Sequence, residues 1–324
     1  MTEILQTPKL VTVFGGSGFL GRHVVRALAR RGYRIRVACR RPALAGHLQP
    51  LGNVGQIHAV QANLGVRWSV DRAVQDADHV VNLVGILFEG RRQKFSTVQD
   101  SGARAVAEAA RAVGAGLTHV SALGADAGSR SLYAQTKARG ERGVLETISD
   151  AVIYRPSIVF GPEDGFFNRF ANMARYSPIL PLIGGGVTKF QPVYVGDVAE
   201  AIALSVDGAV KGGLVYELGG PRVQSFKECL EEMLRVIGRD RLLVPMPWWL
   251  ASLNANILGL LPNPLLTSDQ VILLKADNIV SAAAEDDGRT LQGLGIQPRS
   301  TAAILPTYLW RFRPAGQFSR KTQS

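Results

Sequence analysis

Cysteine is almost missing from this 324-residue chain, which has only Cys39 and Cys229. Two thiols build neither a disulfide framework nor a zinc site, and their scarcity fits a reducing compartment. Long apolar runs are missing as well. No stretch reaches the roughly 18 residues that a bilayer-crossing helix needs. No charged start leads into an apolar stretch, as a secretory leader would require. The first strand pattern opens at Leu10, which leaves no length for a mitochondrial presequence, so a bacterial cytosolic protein is the simplest expectation. The five histidines, His23, His47, His58, His79 and His119, are scattered without metal-ligand spacing, and surface or packing roles are expected for them. Acids are in short supply, with 26 Asp and Glu against 37 Lys and Arg, for a net charge of +11. Such a surplus either decorates a soluble surface or meets an anionic partner. No aromatic-basic or helix-turn-helix pattern accompanies it, so nucleic acid is not an expected partner. There is no internal repeat and no low-complexity tract.

What is present begins at Gly15. The run Gly15-Gly16-Ser17-Gly18-Phe19-Leu20-Gly21 follows the apolar Leu10–Phe14 and precedes a helical pattern from Arg22. Strand, glycine turn and helix in that order make an anion site, because the helix's first N–H groups and its dipole both favour phosphate. Glycines at 15, 18 and 21 allow the tight turn, the approach of a pyrophosphate and close helix–strand packing. The competing reading is a turn that only joins two elements.

Apolar runs at 10–14, 34–39, 56–60, 79–84, 117–121 and 151–155 alternate with helical patterns at 19–31, 70–75, 100–113 and 132–147. This rhythm predicts an α/β fold, a doubly wound parallel Rossmann sheet with helices on both faces. Prolines 156, 162, 178, 181 and 192 break up the second half. Gly196–Val206 returns to a helix with Asp197 in its first turn, and Val215–Gly220 reads as a late strand. The expected organisation is a dinucleotide-binding domain over 8–160 and 191–220. A smaller α/β lobe would take 161–190 and 221–310, and a basic tail 311–324.

The second strand pattern ends in Arg40-Arg41, where a carboxylate would receive a free ribose 2′-hydroxyl. Two guanidiniums suit a 2′-phosphate instead, so the expected cofactor is NADPH rather than NADH. The alternative is a pair of arginines facing solvent. Asn63, followed by Leu64, is a candidate for the adenine amine. Val84 and Gly85 follow the fourth strand pattern and would let backbone run close to the cofactor.

Tyr133 and Lys137 stand four apart on a helical pattern and therefore share a face. A phenol near pKa 10 is a poor acid or base at neutral pH, and a nearby ammonium favours its ionised form. The glycine turn, this pair and Arg155-Pro156-Ser157-Ile158-Val159-Phe160-Gly161 together resemble the extended and atypical short-chain dehydrogenase/reductases, over residues 9–220. The resemblance implies that Tyr133 is a general acid or base, that Lys137 holds the nicotinamide ribose, and that Pro156 and Ser157 neighbour the carboxamide. Active members also use a hydroxyl to bind the substrate carbonyl. Ser121 is the candidate here, while the aligned position falls nearer Leu123, which has none.

Gly161–Asp164, Phe167–Phe170, Pro178–Leu182 and above all Lys189–Ala199 resemble one branch of that family, the nucleotide-binding accessory subunits of respiratory complex I (NADH:ubiquinone oxidoreductase) and their alphaproteobacterial relatives. That likeness implies a tightly bound, structural NADPH and a seat beside other complex I subunits where the peripheral and membrane arms join. It implies a peripheral position on the cytoplasmic face of the inner membrane. Val244–Ala251, with Trp248 and Trp249, and Ile257–Pro262 suit either a lobe core or a partner or lipid surface. Arg311, Arg313, Arg320 and Lys321 either add contacts to anionic lipid or belong to a disordered, solvated tail. Three functions stay open: an accessory subunit with little or no turnover, a soluble NADP-dependent reductase, epimerase or dehydratase that uses Tyr133 and Lys137, or a redox-sensing regulator that reads the NADPH ratio without catalysis.

Overall fold

Near-continuous runs of β-branched and other apolar residues make strands that bury both faces, and the helices between them bury one. In the computed structural model, which describes residues 8–90, 93–258, 264 and 266–314, the chain divides into two units. One comprises Met1–Arg155 and Val198–Tyr216, the other Pro156–Asp197 and Glu217–Ser324.

The first unit is built on β1 (Leu10–Phe14), α1 (Phe19–Arg30), β2 (Arg34–Cys39), β3 (Ile57–Gln61), α2 (Arg67–Val74), β4 (His79–Asn82), α3 (Gly102–Ala112), β5 (Gly116–Val120), α4 (Leu132–Thr147) and β6 (Val152–Pro156). The helix Val195–Val206 (α5) and the strand Val215–Leu218 (β7) complete the elements that flank or extend its sheet. Strand order is β7-β6-β5-β4-β1-β2-β3. The pairings of β1 with β2 and β4, of β2 with β3, and of β5 with β4 and β6 are all parallel. Strand order reverses between β1 and β4, and the carboxyl ends at such a switch point are where a doubly wound sheet takes its ligand.

Alternation sends Phe14, Ala38, Val80, Leu117 and Ile153 into one core beneath α2, α3 and α4. Helix α3 meets that face with Ala103, Ala107 and Ala110, so its axis lies close to the sheet. Each large apolar side chain removed from water there contributes about 1.5–3 kcal/mol. The expected elements all form, with shifted ends. The pattern read as a strand to Val84 stops at Asn82, because the Asn82 side chain accepts the Val84 N–H (3.1 Å) and turns the chain out of the sheet. The pattern read as one helix over 100–113 opens instead with a π-helical turn, Ser96–Ser101.

The second unit has an aromatic core of Phe160, Phe166, Phe167, Phe170, Phe190 and Phe226. Its helix Phe226–Ile237 starts in a Ser225/Glu228 capping box and ends at Gly238 in the left-handed region. Buried Asp164 accepts the Tyr308 hydroxyl (2.6 Å) and the N–H groups of Phe166 and Asn168. Asp197 is buried and ion-paired with Arg299 (3.0 Å). In the helix Trp248–Leu258, Ala251 and Ala255 are buried while Trp249 is 69% and Leu253 52% exposed. Trp248 packs against Gly184, with Lys275 5.8 Å from its ring. The tryptophan segment therefore has both a core side and an open side. The Ile257 and Leu258 side chains, residues 259–262 and the cations Arg320 and Lys321 lie outside the described residues. Arg311 and Arg313, expected in a tail, are folded in. Arg311 donates to Asn168 (2.6 Å) and Arg313 to the Val236 carbonyl (3.0 Å). Among the described residues no helix is long and apolar enough to cross a membrane.

Candidate functional site

The glycine turn has the geometry its sequence requires. Gly15 takes φ +78°, which a side chain would strain, and its carbonyl accepts the Gly18 N–H (3.0 Å). A Cβ on Gly21 would lie 2.3 Å from the Gly15 oxygen, so α1 packs on the turn only because that position is bare. A Cβ on Gly15 would approach Leu83 and Val84, which brings the β1 turn against the loop after β4. Gly18 is the N-cap of α1 and supplies no capping side chain, and the first turn carries no acid. The N–H groups at Phe19, Leu20 and Gly21 belong to the set that a helix cannot satisfy internally. Ser17 flanks this opening, half-buried.

At the end of β2, Arg40 and Arg41 are both exposed and the sheet supplies no carboxylate there. Burial pushes the neighbouring Cys39 thiol up, against hydrogen bonds from the Arg41 backbone and the Ser17 side chain. Beyond β3, Asn63 closes an Asx turn on the Gly65 N–H (3.1 Å), and its backbone N–H is held by Ser69 (3.0 Å). Asn63 is exposed, with Leu64 half-buried beside it.

Tyr133 and Lys137 lie one turn apart on α4, which Ser131 caps by accepting the Ala134 N–H (3.2 Å). The Phe95 ring meets Tyr133 edge-on at 5.8 Å. Lys137 is buried, and its Nζ donates to the Val120 carbonyl (3.1 Å). Gly85 stands so near that a Cβ would lie 3.3 Å from Nζ. Burial pulls the Lys137 ammonium down to about 8, and Glu141 one turn on opposes the shift. Glu141 is itself buried and gripped by Arg155 through two nitrogens.

Ser121 is 4% exposed and its hydroxyl has no partner among the described residues, while its backbone N–H donates to the Tyr154 carbonyl (2.7 Å). Leu123, at the aligned carbonyl-donor position, is buried and apolar. Pro156 and Ser157 belong to the second unit. There the Ser157 hydroxyl is bonded to Asn278 (2.7 Å to Oδ1).

Sequence reasoning passed over three features. Gln99, buried under the π turn, donates to the Ile86 carbonyl (2.7 Å) and accepts the Thr136 hydroxyl (2.8 Å). The Glu141–Arg155 pair was signalled only by charge. His119, expected in a surface or packing role, is 1% exposed, with burial and Lys137 holding its imidazole down to about 3.

A bare turn, uncapped helix N–H groups and a lysine held beside a glycine fit a dinucleotide. The sequence profile described as the NAD dependent epimerase/dehydratase family matches residues 11–219. The chain belongs to that family. Among its relatives is NADH dehydrogenase (ubiquinone) 1 alpha subcomplex subunit 9, mitochondrial, of Arabidopsis thaliana, 34% identical over 95% of this chain and 79% of that protein. Ceramide reductase of Caulobacter vibrioides is 32% identical over 74% of each chain. The NADPH-dependent quinone oxidoreductase of Escherichia coli, solved with NADPH, superposes with a TM-score of 0.71 at 19% identity, covering 92% of this chain and 99% of that one. This last likeness is one of fold.

Proposed function

We propose that this family member is an NADPH-binding accessory subunit of respiratory complex I, with little or no turnover. The observation that carries the reading is the reach of the likeness. Family membership is defined over 11–219, yet the match to the alpha subcomplex subunit runs through 95% of the chain, including the second unit. The site supports it. Leu123 offers no hydrogen bond to a substrate carbonyl, so at the aligned position an oxyanion lacks its donor. The cofactor is then a structural ligand. The first turn of α1 holds its pyrophosphate, Arg40 and Arg41 its 2′-phosphate, Asn63 its adenine, and Lys137 its ribose hydroxyls. The partners are other complex I subunits at the arm junction, and the seat is peripheral, on the cytoplasmic face of a bacterial inner membrane. The exposed Trp249 and Leu253 supply an apolar contact for a partner subunit or anionic lipid.

One observation favours a second reading. Tyr133 and Lys137 are intact one turn apart, with Lys137 Nζ anchored on Val120. A bound nicotinamide would supply hydride, while Tyr133 would exchange the proton at the substrate oxygen and Lys137 would favour the phenolate. The named ceramide-reductase relative makes a soluble NADP-dependent reductase the form of this alternative. Affinity purification from native membranes, with identification of companions and extracted nucleotide, decides between them. Co-isolation with complex I and retained NADPH is expected. A free protein whose Tyr133→Phe variant loses NADPH oxidation overturns the accessory role.

A further inference from the structure

Buried polar atoms without a protein partner cluster in one place in the first unit. Among the described residues these are the Asn82 amide nitrogen, both ring nitrogens of His119 and the Ser121 hydroxyl. The three side chains are 1%, 1% and 4% exposed. Asn82 is the direct neighbour of His119 in the β4–β5 register. His119 shares its sheet face with Leu117, and Ser121 follows one residue past the end of β5, its N–H still donating to the Tyr154 carbonyl (2.7 Å). That face carries Leu117 into the core under α3 and α4. Lys137 descends from α4 onto the carbonyl of Val120, the residue between His119 and Ser121.

A buried donor or acceptor normally finds a partner, and where the protein supplies none, an internal water with two to four polar contacts does so. We infer that Asn82, His119 and Ser121 enclose such a water, and that His119 acts through it as a positioning residue for the Lys137 ammonium at the cofactor's ribose. The inference rests on the cofactor-binding reading above. The charged groups around the cluster are Lys137 and Glu141 from α4 and Arg155 from β6, the last two paired with each other. Gln99 from the π turn is neutral, and α3 presents alanine and valine. Burial and Lys137 keep the imidazole uncharged. A neutral ring offers one donor and one acceptor, so it orients a water without competing for the lysine's charge. The same water gives the ammonium hydration that its burial otherwise denies.

The test is NADPH titration of nucleotide-stripped protein from about pH 6 to about pH 10, with the unaltered chain, His119→Phe and His119→Gln. In the unaltered chain, affinity falls as Lys137 loses its proton. His119→Phe moves that midpoint about one pH unit toward acid and weakens binding roughly fivefold at the old midpoint. His119→Gln, which keeps a donor and an acceptor, restores it. A packing role alone would lower the melting temperature of His119→Phe and leave the midpoint unmoved, and that result overturns the inference. If His119→Phe does not fold, a high-resolution crystal structure of the unaltered protein decides. A water bonded to His119 and within reach of Nζ is expected, and an imidazole contacted only by protein atoms overturns it. An unaltered chain that binds no dinucleotide refutes the proposed cofactor role instead.

Discussion

Arg155 holds Glu141 through two parallel contacts, Nε to Oε1 at 2.9 Å and Nη2 to Oε2 at 2.6 Å. The partners differ in exposure: the carboxylate side chain is 6% exposed and the guanidinium 24%. Removing one member therefore does not mirror removing the other. Arg155→Ala strands a buried carboxylate and should cost about 3–5 kcal/mol. Glu141→Gln leaves a guanidinium that reaches water and an amide that still accepts one hydrogen bond, so its cost should be roughly 1–2 kcal/mol. Urea unfolding of the two variants checks the asymmetry, and equal losses would count against it.

The contact between Gly21 and the Gly15 carbonyl gives a second test. A methyl at 21 would sit 2.3 Å from a backbone oxygen, so the turn must move. Gly21→Ala should lose about 1–3 kcal/mol to overpacking. It should also lose the thermal stabilisation by NADPH, which for the unaltered chain reaches about 2.7 kcal/mol at a hundredfold excess over Kd. Retained stabilisation would mean that the pyrophosphate rests elsewhere.

The proposed grip of Arg40 and Arg41 on a 2′-phosphate is tested by setting NADPH against NADH. Replacing both with alanine should weaken NADPH roughly tenfold or more, about 1.4 kcal/mol, and leave NADH unchanged. Parallel titrations with the two nucleotides measure the ratio. An equal loss for both would assign the arginines to general electrostatics.

Stability should depend on pH in a fixed direction. Burial chiefly holds His119 down to about 3, and His79 and His23 to about 4. The unfolded chain protonates these rings near 6.5. Between about pH 6.5 and pH 4 it binds more protons than the fold does, so stability falls as acid is added. Lys137 acts by the same rule at the other end. With its folded value lowered to about 8, its contribution grows as pH rises from there toward its ordinary 10.5. Calorimetry should give melting temperatures that decline below pH 6.5, and His79→Gln should remove part of the decline. A flat acid limb would show that these rings are hydrated.

The parts of the fold and site that were legible in the sequence are local ones. The glycine turn lies within a single strand–helix junction, and Tyr133 with Lys137 needs only a helical period. What escaped needs the register of distant strands. Asn82 and His119 are neighbours only because β4 pairs with β5 in one register, and nothing in either strand states it. The end of β4 was misjudged because an apolar pattern hides a side-chain bond from Asn82 to the Val84 N–H. The π turn over Ser96–Ser101 was hidden in the same way, since its residues continue the helical pattern of α3. Arg311 and Arg313 read as a tail by charge alone, but long side chains also reach carbonyls, here Pro162 and Val236.

Gly140 sits where α4 crosses the π turn, and an added methyl there would stand 2.1 Å from the Gln99 oxygen. Backbone thus rests directly on backbone, with no side chain between to act as a cushion. The angular setting of α4, and with it the direction in which Tyr133 projects, is gauged by main-chain atoms whose dimensions do not vary with substitution. The phenol can keep its aim while the neighbouring residues drift in identity. The outline of the site is in this way preserved whether or not the chain turns over a substrate.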